Sequence, residues 1–257
     1  MLRTISTLFF LAWIEIFFAG KVHSAQRVIS LDLCTDWMLA RYADRAQVAA
    51  LSPIYSQYPV AWLESGWPTH DGTLEHIVAL KPDLVITGQY NALQLRSRLK
   101  TLGLRVEILS LPTNLEAIGN YERRFLSMIG KPAALASAPP PPQPAAPAKR
   151  LLLLGANGIG TGRGTFEDGV LERAGWSNYL RDDGYVRLDM ERIVTDPPDA
   201  VLWAAPASRA LANRFAEHPV LRRAVPRERW LTTDYWRWQC PGPWTWELIE
   251  QLHRWLP

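Results

Sequence analysis

The stretch TLEHIVALKPDLVIT, residues 73–87, says most about the fold. Thr73 to Leu80 follows a helical pattern, Lys81-Pro82-Asp83 breaks it, and Leu84-Val85-Ile86-Thr87 reads as a strand stopped by Gly88. The same order returns later in the chain. Glu75, Ile77, Val78, Pro82, Asp83 and Val85 recur as Glu191, Ile193, Val194, Pro198, Asp199 and Val201, each pair 116 residues apart with no gap. A helix, a Pro-Asp break and a strand, used once per half, predict two related lobes rather than one large sheet.

Upstream of the first copy, Arg27-Val28-Ile29-Ser30-Leu31 reads as a buried strand and Thr35 to Tyr42 as the helix behind it, with Asp36 in its first turn. Val48 to Leu51 is a second apolar run. Downstream, Ala92 to Leu102 gives a helix stopped by Gly103, and Val106 to Leu109 a further strand. Strand and helix alternate at short spacing, the pattern of an α/β lobe with a largely parallel sheet. A helix from about Leu115 to Ile129 follows, and then Pro139 to Pro147, a run that cannot be helical and favours an extended conformation. That run is read as a connector between lobes or as a surface insertion. The pattern then restarts with Leu151 to Leu154 as strand, Thr165 to Ala174 as helix, Ala200 to Trp203 as strand, and Ala207 to Glu217 and Trp244 to Leu256 as helices.

Composition narrows the function classes. The 257 residues are 48% hydrophobic and carry a net charge of only +3, which gives no electrostatic case for nucleic-acid binding. Twelve Trp residues call for an explanation, and rigid aromatic surface for a bulky ligand is one. At the amino terminus, Arg3, the apolar run Leu8 to Phe18 and the small residues Ser24-Ala25 have the order of a secretory signal peptide cleaved near Ser24–Gln26. The chain is therefore expected to be exported. Its two cysteines, Cys34 and Cys240, are too few for a disulfide scaffold or a four-Cys zinc site, and form one disulfide or remain two thiols.

Motifs for covalent chemistry are mostly absent. Gly155 to Gly164 follows a strand and leads to a helix, where phosphate-binding loops occur, but its glycines miss the dinucleotide spacing and Thr161 stands where a P-loop needs Lys. No two histidines fall at helical metal-ligand spacing, and there is no nucleophile elbow. The most unusual segment is Asp234-Tyr235-Trp236-Arg237-Trp238-Gln239-Cys240-Pro241-Gly242-Pro243-Trp244-Thr245-Trp246. Trp244 and Trp246 begin a helix and suit core packing. Tyr235, Trp236 and Trp238 are expected to face a cleft, and Arg237 to pair with a ligand carboxylate or phosphate.

Four stretches together resemble the periplasmic substrate-binding proteins of ABC importers for metal chelates, namely ferric siderophores, haem and vitamin B12: Arg27 to Asp36, Thr73 to Thr87, Gly155 to Gly175 and Asp234 to Leu252. The resemblance implies two Rossmann-like α/β lobes with a ligand groove between them, bridged by one long helix. In that scheme residues 1–25 are the signal peptide, 26–112 the N-terminal lobe, 113–149 the bridging helix and Pro-rich connector, and 150–257 the C-terminal lobe. It implies that Glu75 and Glu191 dock on arginines of the inner-membrane permease. It places Tyr55, Tyr185 and Asp234 at ligand-contact positions, while Thr69, Gly160 and Trp238 depart from the residues expected there. It also puts Cys34 and Cys240 in the first and last groove loops, either bonded or serving as soft donors.

The function implied is a periplasmic solute-binding protein, acting as a monomer, that captures a corrinoid, haem or ferric siderophore and makes or breaks no bond. No permanent cofactor, resident metal or nucleic-acid partner is expected. Tyr55, Trp236 and Trp238 would stack on the chelate, Asp234 and Arg237 would make polar contacts, and Gly158 to Gly162 would allow close backbone approach. The alternatives are an exported α/β enzyme using the Gly155–Gly164 loop, a receptor for bare metal ions, and a sensor or adaptor of the same fold without transport.

Overall fold

The computed structural model describes residues 27–58, 64–140, 149–155, 158–204, 216–233 and 235–256. The signal segment, most of the Pro-rich run and most of the helix expected at Ala207–Glu217 lie outside them.

The first sheet is fully parallel, in the order β2-β1-β3-β4, with β1 at Val28–Ser30, β2 at Val48–Ala50, β3 at Leu84–Gly88 and β4 at Val106–Leu109. Its strands are buried on both faces, so they read as continuous apolar runs. Val28, Leu84 and Ile86 turn to one core; Ile29 and Val85 turn to the other. The first core is closed by α1 (Leu33–Tyr42) and the second by α2 (Leu74–Ala79) and α3 (Leu93–Thr101).

The second sheet repeats this plan. β5 (Arg150–Leu154), β7 (Ser177–Asn178), β9 (Ala200–Trp203) and β10 (Trp230–Thr232) are parallel, with β5 between β7 and β9 and β10 outside β9. That is the first sheet's arrangement strand for strand. The helices correspond as well: α5 (Phe166–Arg173) follows β5, and α6 (Met190–Thr195) precedes β9 as α2 precedes β3. One addition distinguishes this lobe. β6 (Ile159–Thr161) turns back antiparallel on β5, and β8 (Tyr185–Arg187) pairs antiparallel with β6, so the sheet is mixed.

The Pro-Asp break does the same work in both copies. Asp83 accepts the backbone N–H of Arg27 at 3.2 Å, and its own N–H returns to the Arg27 carbonyl at 3.1 Å. Asp199 does the same with Arg150, at 2.8 and 3.0 Å. Each Asp thus ties the start of its lobe's first strand to the turn before the central neighbour. Pro82 and Pro198, which cannot continue a helix, are both buried.

Two helical bridges join the lobes, where one long one was expected. The first, α4 (Ile118–Met128), spans 11 residues and ends at Ile129-Gly130, where Gly130 takes a positive φ of 71° ahead of Pro132. Its Ile118 lies in the core of the second lobe, while Tyr121, Phe125 and Met128 lie in the core of the first. The second bridge is α9 (Trp244–Arg254), reached through α8 (Tyr235–Gln239). Trp244 is fully buried in the first lobe against Trp37, ring centroids 5.2 Å apart and nearly perpendicular, whereas Trp246, Leu248, Ile249 and Leu252 pack in the second. The last helix therefore belongs to both lobes, and not to the second alone.

Candidate functional site

In each sheet the chain leaves a central strand toward opposite sides, between β1 and β3 in the first lobe and between β5 and β9 in the second. The crevice at the carboxyl ends of such strands is where open α/β sheets bind ligands. Cys34 opens α1 just beyond the end of β1, and Cys240 follows α8 just beyond the end of β10. The two are bonded, with Cα atoms 5.2 Å apart. The bond ties the loop after β1 to the segment after β10, which marks the carboxyl ends of the two sheets as the candidate site, and it leaves neither sulfur as a thiolate donor. That corrects the alternative of two metal-capturing thiols.

A buried polar cluster shapes the first lobe's side. Asp32 caps α1, accepting from the Cys34 and Thr35 N–H groups at 3.0 and 3.1 Å, and also accepts the Gly88 N–H that ends β3. One carboxylate thus fixes the loops on either side of the switch point. Asp36 accepts the Ser52 N–H at 2.8 Å together with its hydroxyl, which holds the loop after β2. His70 bonds the Ser30 carbonyl through Nε2 at 2.8 Å and accepts the Gly72 N–H through Nδ1 at 2.9 Å, which specifies the neutral Nε2–H tautomer. Burial raises Asp32 above the usual carboxylate range, pushes Asp36 to about 7 and lowers His70. The hydrogen bonds of all three hold loops in place, so the cluster is a support for the groove wall.

The expected ligand residues divide sharply. Tyr55 lies in the short turn after β2, half-buried on the first lobe's core, with its hydroxyl donated to the Glu64 carbonyl; burial raises its phenol. Tyr185 is 68% exposed but sits two strands out from β5, opposite Thr161, with its ring hydroxyl on Glu167; burial and that carboxylate raise its phenol. Asp234 and the side chains of Tyr235 and Trp236 lie outside what is described.

Trp238 is a correction. It is 6% exposed in the second lobe's core, and its indole N–H donates to Thr233 Oγ1 at 2.8 Å. Residues 235–239 form α8, which packs against α9. Arg237 is corrected with it: its side chain is 16% exposed and lies between Gln251 Oε1 at 3.4 Å and Glu247 Oε2 at 4.0 Å, engaged by α9 rather than presented to a ligand. More broadly, Trp37, Trp67, Trp176, Trp238, Trp244 and Trp246 are all buried, so the surplus of Trp builds cores and bridges more than a binding surface.

The glycine-rich segment runs from β5 to α5 as the sequence predicts, but within it the chain turns back as β6. A Cβ on Gly160 would collide with Leu180 and Leu188, and one on Gly162 with the Asp182 carbonyl. Packing within the protein's own second lobe therefore accounts for Gly160 and Gly162.

One residue escaped the sequence reading. Tyr90, directly after β3 at the first lobe's switch point, is 80% exposed. A lone Tyr beyond a strand-ending Gly carries no pattern, and only the topology marks it. By contrast, a cavity of about 330 Å³ lined by Lys149, Trp176, Asp199, Glu228, Arg229 and Trp255 lies at the opposite, amino-terminal ends of β5, β9 and β10. Among the described residues no group of three or more His, Cys, Asp or Glu side chains converges as a metal site.

Glu75 and Glu191 occupy equivalent places. Each is exposed in the first turn of a six-residue helix capped by a side chain, Thr73 accepting from the His76 N–H and Asp189 from the Glu191 and Arg192 N–H groups.

No protein-family model matches the chain, and no curated protein matches it in sequence. Solved structures match its fold along nearly its whole length. A possible iron-binding, periplasmic solute-binding protein of Staphylococcus epidermidis is 17% identical, with a TM-score of 0.70 over 90% of this chain and 98% of that one. A periplasmic haem-binding protein of Pseudomonas aeruginosa is 24% identical, with a TM-score of 0.64 over 89% and 91%. The periplasmic vitamin B12-binding protein of Vibrio cholerae is 19% identical, with a TM-score of 0.57 over 90% and 96%. The fold is thus the two-lobed α/β type of these binding proteins.

Proposed function

We propose that this chain is the periplasmic solute-binding component of an ABC importer for a metal chelate, with haem the first candidate ligand and a corrinoid or ferric siderophore the next. The observation that carries the reading is the duplicated lobe, an architecture shared along about nine-tenths of the chain with haem-, iron- and B12-binding proteins. Haem leads because several of the matching structures bind it.

Tyr90 offers an exposed ring just past the carboxyl end of β3, and a phenol oxygen is a donor that ferric iron accepts. Stacking and polar contact at a largely preformed site account for capture, and no bond is made or broken. The two bridges and the disulfide limit lobe movement, so recognition by modest closure fits better than a wide hinge. Glu75 and Glu191 then present one acidic knob per lobe to arginines of a two-fold permease, steering association electrostatically. Export by the amino-terminal signal and action as a monomer complete the proposal.

The test is a titration of the mature protein with haem, cyanocobalamin and ferrichrome, followed by the absorbance of each chelate and by tryptophan fluorescence. Saturable one-to-one binding of one of them is expected. No saturable change with any of the three would overturn the proposal.

A further inference from the structure

The internal repeat holds two kinds of identical residue. Ile77 and Ile193 are buried to 0% and 1% exposure, Val85 and Val201 are both fully buried, Pro82 and Pro198 are buried, and Asp83 and Asp199 bind backbone. The fold accounts for all of these. Glu75 and Glu191 stand in first turns, where the helix macrodipole favours an acid, but nothing in the fold accounts for Val78 and Val194, which are 40% and 55% exposed. An exposed position on a short helix gives Val no packing, and its branched side chain makes it a poorer helix former than Ala, Lys or Glu. Yet both lobes place Val there, three residues after the acid. At that spacing the two side chains stand side by side on one helix face.

We infer that Val78 and Val194 are paired apolar contacts for the permease, each seated beside its acidic neighbour, so that the docking surface is a Glu-Val face presented once by each lobe. This rests on the docking reading of Glu75 and Glu191 and extends it. The partner is a two-fold membrane protein whose halves each offer a cation next to an apolar depression, because the two faces repeat the same Glu and Val, a side-chain cap at the same position and the same exposed and buried positions. Acid alone would attract many basic surfaces. The adjacent valine restricts docking to a surface that can desolvate it, and the loss of one Val from a well-packed contact weakens binding by up to about tenfold.

The experiment is photocrosslinking in cells of the source organism. A photoreactive p-benzoylphenylalanine replaces Ala79 or Thr195, both exposed and each next to its Val, in the full chain. Both positions should yield an adduct with the same integral membrane polypeptide. The double variant Val78→Ser/Val194→Ser should lower that adduct about tenfold or more, and Val78→Ile/Val194→Ile should restore it, with melting temperature unchanged throughout. An adduct that survives Val→Ser but disappears in Glu75→Arg/Glu191→Arg overturns the inference and leaves the acidic docking reading standing. An adduct that survives both, or no membrane adduct from either position, overturns both readings.

Discussion

Cys34 and Cys240 are bonded across a sequence separation of 206 residues, and the bond joins the first helix of one lobe to the segment that enters the last helix of the other. Around it, Trp37 meets Trp244 and Arg41 reaches Glu247 at 3.4 Å. A covalent link, an aromatic contact and an ion pair thus tie α1 to α9 at the rim of the groove. Closing so long a loop restricts the unfolded chain strongly, although measured gains fall below the entropic ideal. Cys34→Ser/Cys240→Ser should cost roughly 3 kcal/mol and lower Tm by about 6–12 °C. Thermal unfolding with and without reductant checks this: reductant should shift the wild type toward the double variant and leave the variant unmoved.

Trp244→Ala should be among the most destabilising single changes, at about 3–5 kcal/mol, because it empties a fully buried site between the lobes. Trp238→Phe should lose stability by about 1 kcal/mol through the Thr233 hydrogen bond. Chelate affinity should not move, which separates the core role from the groove role once assigned to it. Urea unfolding and ligand titration on the same preparations supply both readouts.

Asp36 links stability to pH. Its folded-state pKa of about 7 lies above the usual carboxylate value, so the folded protein holds a proton that the unfolded chain releases. This contribution is fully present below about pH 4 and is lost as pH rises through 7. Asp32, also raised, acts in the same direction, whereas His70, lowered by burial, acts oppositely once pH falls below its ordinary value. The comparison with Asp36→Asn isolates the one group. Between pH 8 and pH 5 the Tm of the wild type should gain on that of the variant, and a constant difference would contradict the assignment.

Gly162→Ala should destabilise by about 1–3 kcal/mol, because its Cβ meets a backbone carbonyl that cannot swing aside. The same change should leave the chelate-binding stoichiometry intact. Thermal melts and titration check the two halves of this expectation.

The lobes were legible because their signals are local. Val28-Ile29 and Leu151 to Leu154 are apolar runs that only a doubly covered strand requires, and the Pro-Asp break repeats with an unbroken spacing. The antiparallel pair of β6 and β8 was not, since Ile159-Gly160-Thr161 and Tyr185-Val186-Arg187 are too short for a period and one includes a Gly. The burial of Trp238 was not legible either, since it depends on α9, which follows α8 in the chain and packs over it. The disulfide was one of two open choices until the ends of β1 and β10 were brought together. Tyr90 was missed because its position acquires meaning only from strand order.

The most direct test of groove capture is a crystal structure of the haem-loaded protein with the iron located by anomalous scattering. The account predicts a single iron peak between the loop after β3, which carries Tyr90, and the ends of β5 and β9, with the Cys34–Cys240 bond intact at the groove's rim. An iron peak at the amino-terminal ends of the strands, or only on the outer surface of one lobe, would contradict it.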